Sequence, residues 1–155
     1  MQYMPGILEA GSAEHEVDSC LNALIIYEDV VTGKRAKETC DVVRGQLGPS
    51  WNIEIEMSSF KSLRHPRARN LATATARSAS LVIFSCYDRL LPVEVFNWTE
   101  WCLVPSEQPK SLVALVAVTD RQTRPSCGAE KYLSAVAQRS GMKFFSHFYT
   151  PLNGT

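Results

Sequence analysis

From residue 21 onward, five apolar runs alternate with four stretches whose apolar residues recur at helical spacing. Leu24-Ile25-Ile26-Tyr27 is rich in strand formers and stops at the acidic pair Glu28-Asp29. Beyond Thr32-Gly33, the residues Ala36, Cys40, Val43 and Leu47 share one helical face. Lys34, Arg35, Lys37, Glu38, Asp41 and Arg44 take the other, and Gly48-Pro49 ends the helix. Asn52 to Met57 alternates with period two, the pattern of a half-exposed strand at a sheet edge. Pro66 opens a second helix, with Ala68, Leu71, Ala72, Thr75 and Ala79 as its narrow, small-residue face.

Leu81-Val82-Ile83-Phe84 is apolar at every position, as a central strand covered on both sides must be. Pro92 marks a third helix whose stripe is Val95, Trp98, Thr99 and Cys102. Leu112–Val118 reads as another buried strand. Ala129, Tyr132, Leu133, Val136 and Ala137 form a fourth helical stripe ended by Ser140-Gly141, and Lys143–Tyr149 is the last strand. Alternating strands and helices joined by short loops force parallel strands with right-handed crossovers. The expected fold is therefore α/β, a three-layer doubly wound five-stranded parallel sheet. Residues 1–20 have no sustained period and read as a flexible N-terminal arm, although a short helix through Ile7–Val17 is an alternative. Residues 21–155 then make one domain, as expected for a chain of 155 residues.

Composition narrows the function classes. Sixteen basic residues balance 16 acidic ones, so no overall field attracts nucleic acid or an anionic membrane. The longest apolar runs fall far short of the ~20 residues that span a bilayer. The start lacks a basic segment followed by an apolar core, so no signal peptide is expected. Five cysteines, an odd count without paired spacing, fit a reducing, cytoplasmic setting.

In such a sheet the strand-to-helix loops gather at one edge, where ligands bind at the reversal of strand order. Two loops there carry the candidate chemistry. In the first, Thr32, Gly33, Lys34 and Arg35 stand at a helix start, where free N–H groups and two cations suit an anion; an ordinary N-cap by Thr32 is the plainer alternative. Glu28 and Asp29 are candidate ligands for a divalent cation such as Mg, with Asp88 or Asp120 as further oxygen donors. In the second loop, Ser85, Cys86, Tyr87 and Asp88 end the central strand; a nucleophile there needs a base, and His15, His65 and His147 cannot be placed beside it. Elsewhere, Lys61, Arg64, His65, Arg67 and Arg69 form a basic cluster suited to phosphate or an acidic protein face. Phe96, Trp98 and Trp101 load one helix with aromatic rings, a composition favoured at interfaces, so a protein partner or a dimer is expected through Trp98 and Trp101.

Two family resemblances follow from these residues, and both cover residues 22–150. Leu24-Ile-Ile-Tyr-Glu28-Asp29, Leu81-Val-Ile-Phe-Ser85 and Leu115-Val-Ala-Val-Thr119 resemble the first, third and fourth strands of the receiver domain of two-component signalling. That likeness puts the phosphate-accepting aspartate at Ser85 and the family's lysine near Thr150-Pro151, which implies a regulatory, phosphorylation-independent module. Ser78 to Tyr87, followed by Leu91 to Trp98, is similar to the flavin-side loop and helix of the flavodoxin family. This second likeness implies FMN as cofactor, with Thr32-Gly33 in the phosphate loop and Tyr87 stacked on the flavin. Valines at 30 and 31 replace that loop's hydroxyl residues, and Lys34-Arg35 its usual continuation. Either resemblance implies a flavodoxin-like strand order, 2-1-3-4-5. The function expected first is a non-catalytic regulatory or protein-interaction domain; the alternative is a flavin- or phosphate-binding enzyme.

Overall fold

The computed structural model describes residues 20–103, 110–118 and 128–151. Its elements run β1 (Cys20–Tyr27), α1 (Val30–Leu47), β2 (Asn52–Ser59), a 3-10 turn (Lys61–Arg64), α2 (Pro66–Ser78), β3 (Leu81–Tyr87) and α3 (Val93–Trp98). A π-helical turn (Thr99–Leu103) continues α3 and is followed by β4 (Ser111–Ala117), α4 (Ala129–Ser140) and β5 (Lys143–Tyr149). The five strands are all parallel, in the order β2-β1-β3-β4-β5. This is the flavodoxin-like α/β arrangement. No helix among the described residues is long and apolar enough to cross a membrane.

The strands form where doubly covered apolar runs leave no other way to bury both faces. Leu24, Ile26, Val82, Phe84, Leu112, Ala114 and Val116 point into a core shared with α2, α3 and α4. Ile25, Ile83 and Leu115 point the other way, beneath Ala36 and Cys40 of α1. Burying one such side chain is worth roughly 1.5–3 kcal/mol, so the register is strongly fixed. A one-residue slip would exchange the two faces.

Three local expectations are corrected. The first helix starts earlier than the Thr32-Gly33 pair: its N-cap is Asp29, whose Oδ1 accepts from the Thr32 N–H at 3.0 Å, while Thr32 Oγ1 accepts from the Asp29 N–H at 2.9 Å. That reciprocal box makes Thr32 an interior residue of the first turn rather than the cap. The phase of α2 is turned as well. Ala72, Thr73 and Ala76 are buried, whereas Leu71 is 60% exposed. Finally, Cys20, placed in the N-terminal arm by the sequence, begins β1; residues 1–19 lie outside the described residues.

Lys110 is the unexpected member of the core. Its ammonium donates to the carbonyls of Ala76 at 2.7 Å and Ala79 at 2.8 Å, closing the C-terminal end of α2. A cation there also meets the negative end of the helix dipole. Burial lowers its pKa from the ordinary lysine value.

Candidate functional site

Strand order reverses between β1 and β3, and the carboxyl ends of these neighbours carry the two candidate loops side by side. The Glu28 N–H donates to the Ser85 carbonyl at 3.0 Å, which joins the loops through the backbone. Side chains then lock them. Glu28 Oε1 accepts from the Tyr87 N–H at 3.0 Å, and Oε2 accepts from Arg89 Nε at 3.0 Å and from a second nitrogen of the same guanidinium. Arg89 also lies 5.2 Å from the Tyr87 ring centroid. Both Glu28 oxygens therefore have donors, and its charge is met by one arginine. Asp29 is committed to the α1 cap, with Tyr87 beside it. Among the described residues, no three of His, Cys, Asp and Glu gather in a way that could hold a metal ion. Asp120, the other carboxylate considered as an oxygen donor, lies outside the described residues.

The hydroxyl residues of the two loops face each other inside the protein. Ser85 is fully buried and donates its Oγ proton to the Thr32 carbonyl at 2.7 Å, pinning the first turn of α1 onto β3. Thr32 is fully buried too, its Oγ1 held by the N–H groups of Glu28 and Asp29. Gly33 lies against the Tyr27 ring so closely that an added Cβ would come within 2.8 Å of it. Lys34 is exposed and lines a shallow groove of about 460 Å³ with Val30, Lys37 and Met57. Arg35 turns the other way, its guanidinium carbon over the Tyr149 ring, 4.2 Å from the centroid. The four residues of the expected anion loop thus point in different directions: two inward, one to a groove and one to a ring.

Cys86 and Asp88 occupy the opposite face of the sheet. Cys86 is fully buried, and its thiol is pushed up to about 12 by burial and the carboxylates of Glu28 and Asp88, which suppresses the thiolate that a nucleophile needs. Asp88 leans on Gly128, where an added Cβ would stand 2.0 Å from Oδ1. That oxygen is buried without a hydrogen-bond partner, and burial, with Glu130 nearby, raises its pKa. On the α1 face, the buried Tyr149 hydroxyl also lacks a partner of good geometry; burial raises it, while the neighbouring Ser85 and Arg35 oppose the rise. Tyr87 is pushed up to about 12 by desolvation and by Asp29.

His65 is the exposed N-cap of α2, His147, exposed on β5, stacks with the Tyr149 ring at a centroid distance of 6.4 Å, and His15 lies outside the described residues. Arg89, Tyr149 and Gly128 belong to this edge and carry no motif that marks them. Arg89 directly follows Asp88, but Tyr149 and Gly128 join only through the adjacency of β3, β4 and β5.

The aromatic helix divides in two. Trp98 is 1% exposed and donates its indole N–H to Thr73 Oγ1 at 3.1 Å, so its place in the expected interface is withdrawn in favour of the core. Trp101 is 63% exposed. With the exposed Val93 it lines a groove of about 510 Å³ that Arg64, Glu94 and Arg69 also line, while the exposed Phe96 packs against Tyr132 of α4, its ring centroid 5.1 Å away. No family model matches the chain, and no curated protein matches it.

Proposed function

We propose that this chain is a non-catalytic regulatory or protein-interaction domain, receiver-like in architecture and independent of phosphorylation. The observation that carries the reading is Ser85. It stands where a receiver's acceptor would be, buried, with its only proton given to the Thr32 carbonyl. Around it, Glu28 is neutralised by Arg89 and Cys86 is held as a thiol, so the edge spends its reactive groups on its own structure. The exposed surface of α3 supports the interaction half of the proposal. Trp101 and Val93 supply an apolar anchor site; Arg69 lines it, Arg64 lines it paired with Glu94 at 3.3 Å, and Lys61 and Arg67 are exposed on the elements that carry these arginines. Its partner is a protein segment with an apolar anchor flanked by acidic residues.

The rival reading, a flavin- or phosphate-binding enzyme, draws its support from the two buried polar atoms left unpartnered, Asp88 Oδ1 and Tyr149 Oη. One set of measurements separates the two. Purified protein is denatured and its supernatant searched for flavin, and the native protein is titrated with FMN, Mg²⁺ and beryllofluoride while its melting is followed. A photo-crosslinking residue at position 97, which lines the groove beside Trp101, then captures the partner from its source. The interaction reading expects no flavin, no ligand-induced rise in Tm, and a crosslinked segment rich in acids. That crosslink should weaken together in Arg64→Glu and Arg67→Glu. Released flavin, or a Tm raised by FMN or by Mg²⁺ with beryllofluoride, sinks it.

A further inference from the structure

The two edges of the sheet are built differently. At β2, the outward-facing Ile53 carbonyl is occupied by Arg44 at 3.2 Å. Glu54 and Glu56 flank Ile55 there, so two β2 strands paired antiparallel about Ile55 would set acid directly opposite acid. Such devices keep an edge from pairing. β5 has none of them. Its sequence is Lys-Phe-Phe-Ser-His-Phe-Tyr, with no proline and no acid, and Phe145 is 55% and Phe148 40% exposed. The Lys143 N–H and the Tyr149 carbonyl both bond inward, to Lys110 and Val118. Backbone groups alternate sides along a strand, so those of Phe144, Ser146 and Phe148 point outward and lack a partner among the described residues.

We propose that β5 is a self-association edge, through which two copies of the chain pair antiparallel about a two-fold axis at Ser146. This register brings together every outward group: Phe144 opposite Phe148 of the second copy, Ser146 opposite Ser146, and Phe148 opposite Phe144. Each is a hydrogen-bonded pair, and the sheet becomes continuous across the axis. On the α4 side of the sheet it creates two cross-strand phenylalanine pairs, the kind of contact that stabilises antiparallel ribbons. On the α1 side Phe145 meets His147, and Lys143 meets the ring of Tyr149. Shifting the axis to Phe145 would place Lys143 opposite His147, and shifting it to His147 would place two imidazoles together. The axis at Ser146 is the one that uses all three outward residues. A two-fold contact closes on itself, so the assembly stops at a dimer.

The proposal does not rest on the α3 surface, and its test separates the two. The mass of the full chain is followed by light scattering and sedimentation across concentration, for wild type and for Ser146→Lys, Ser146→Pro and Trp101→Ala. Lysine sets two ammonium groups across the axis. Proline removes an outward N–H and leaves the bonds to β4 intact. Wild type and W101A should reach dimer mass, while S146K and S146P should stay at half that mass with unchanged circular dichroism. If S146P unfolds, S146K alone decides. In a Cys20→Ser, Cys127→Ser background, Ser146→Cys should oxidise to a covalent dimer. A wild type that stays monomeric at its highest soluble concentration overturns the proposal. So does a dimer that survives S146K, a dimer lost only in W101A, or a mass that keeps growing past two copies.

Discussion

Placing an aspartate at position 85 gives a direct measure of how firmly this edge is committed to structure. In Ser85→Asp, the hydroxyl that donates to the Thr32 carbonyl at 2.7 Å is replaced by an acceptor facing that same carbonyl. The lost hydrogen bond is worth about 1 kcal/mol. A buried carboxylate with no cation to pair with costs about 3–5 kcal/mol more. Arg89 cannot supply that cation without leaving Glu28. The sum, about 4–6 kcal/mol, corresponds to a fall in Tm of roughly 10–20 °C for a domain of this size. The sign with pH follows from burial, which raises the new carboxyl above its unfolded value of about 3.9. The folded state then binds more protons than the unfolded one. Stability is therefore greatest below the unfolded pKa and lost as pH rises through the folded pKa, so the penalty is largest near neutral pH and shrinks toward acid. Urea unfolding of wild type, Ser85→Ala and Ser85→Asp at pH 7 and pH 4.5 measures each part. The alanine variant should lose about 1 kcal/mol at both values. An aspartate variant as stable as the alanine variant at pH 7, or one whose penalty grows on acidification, refutes the argument.

Other outcomes follow from single contacts. Lys110→Met strips both donors from the Ala76 and Ala79 carbonyls and should cost about 2–4 kcal/mol in urea unfolding. Asp88→Asn should raise Tm at neutral pH, because burial lifts the folded pKa and makes the ionised form the costly one; the gain should close as the pH falls below the ordinary carboxylate range. The reverse sign holds for Glu100, whose carboxyl is lowered by Arg139 and by Tyr132, which donates its hydroxyl at 2.5 Å. Its contribution is present above the unfolded pKa and lost as the pH falls through the folded one, so the wild-type advantage over Glu100→Gln should disappear in acid melts. With Cys86 buried and pushed up to about 12, a thiol reagent should label exposed Cys20 in native protein and reach Cys86 only on unfolding.

Strands and crossovers are legible in this chain because apolar runs such as Leu81–Phe84 can be buried only between two helical layers. The start of α1 is harder to read. Val30 and Val31 look like strand residues, yet they sit exposed in the first turn because Asp29 and Thr32 cap each other. In α2 the small residues hide the phase: alanine fits either face, and Thr73 goes inward to meet the indole of Trp98. At the edge, the pairing of Glu28–Arg35 with Ser85–Asp88 could be anticipated from the reversal of strand order. What those residues do could not. Ser85 and Thr32 differ from ligand-facing hydroxyls only in what lies opposite them, and Arg89 and Tyr149 enter through packing between distant strands.

The π-helical turn after α3 sets which indole the solvent sees. An α-helix advances about 100° per residue, and on that winding Trp101 would come round near Trp98 while Leu103 swung away. The wider i→i+5 turn instead brings Leu103 in beside Trp98 and Thr99, all buried, and leaves Trp101 outside. The surface is therefore encoded in chain length as much as in residue type. Deleting Cys102 would restore regular winding and turn the Trp101 ring in toward Trp98 without changing any side chain of the patch. Insertions and deletions at this turn are thus a route by which such a domain could gain or lose a binding face in a single step.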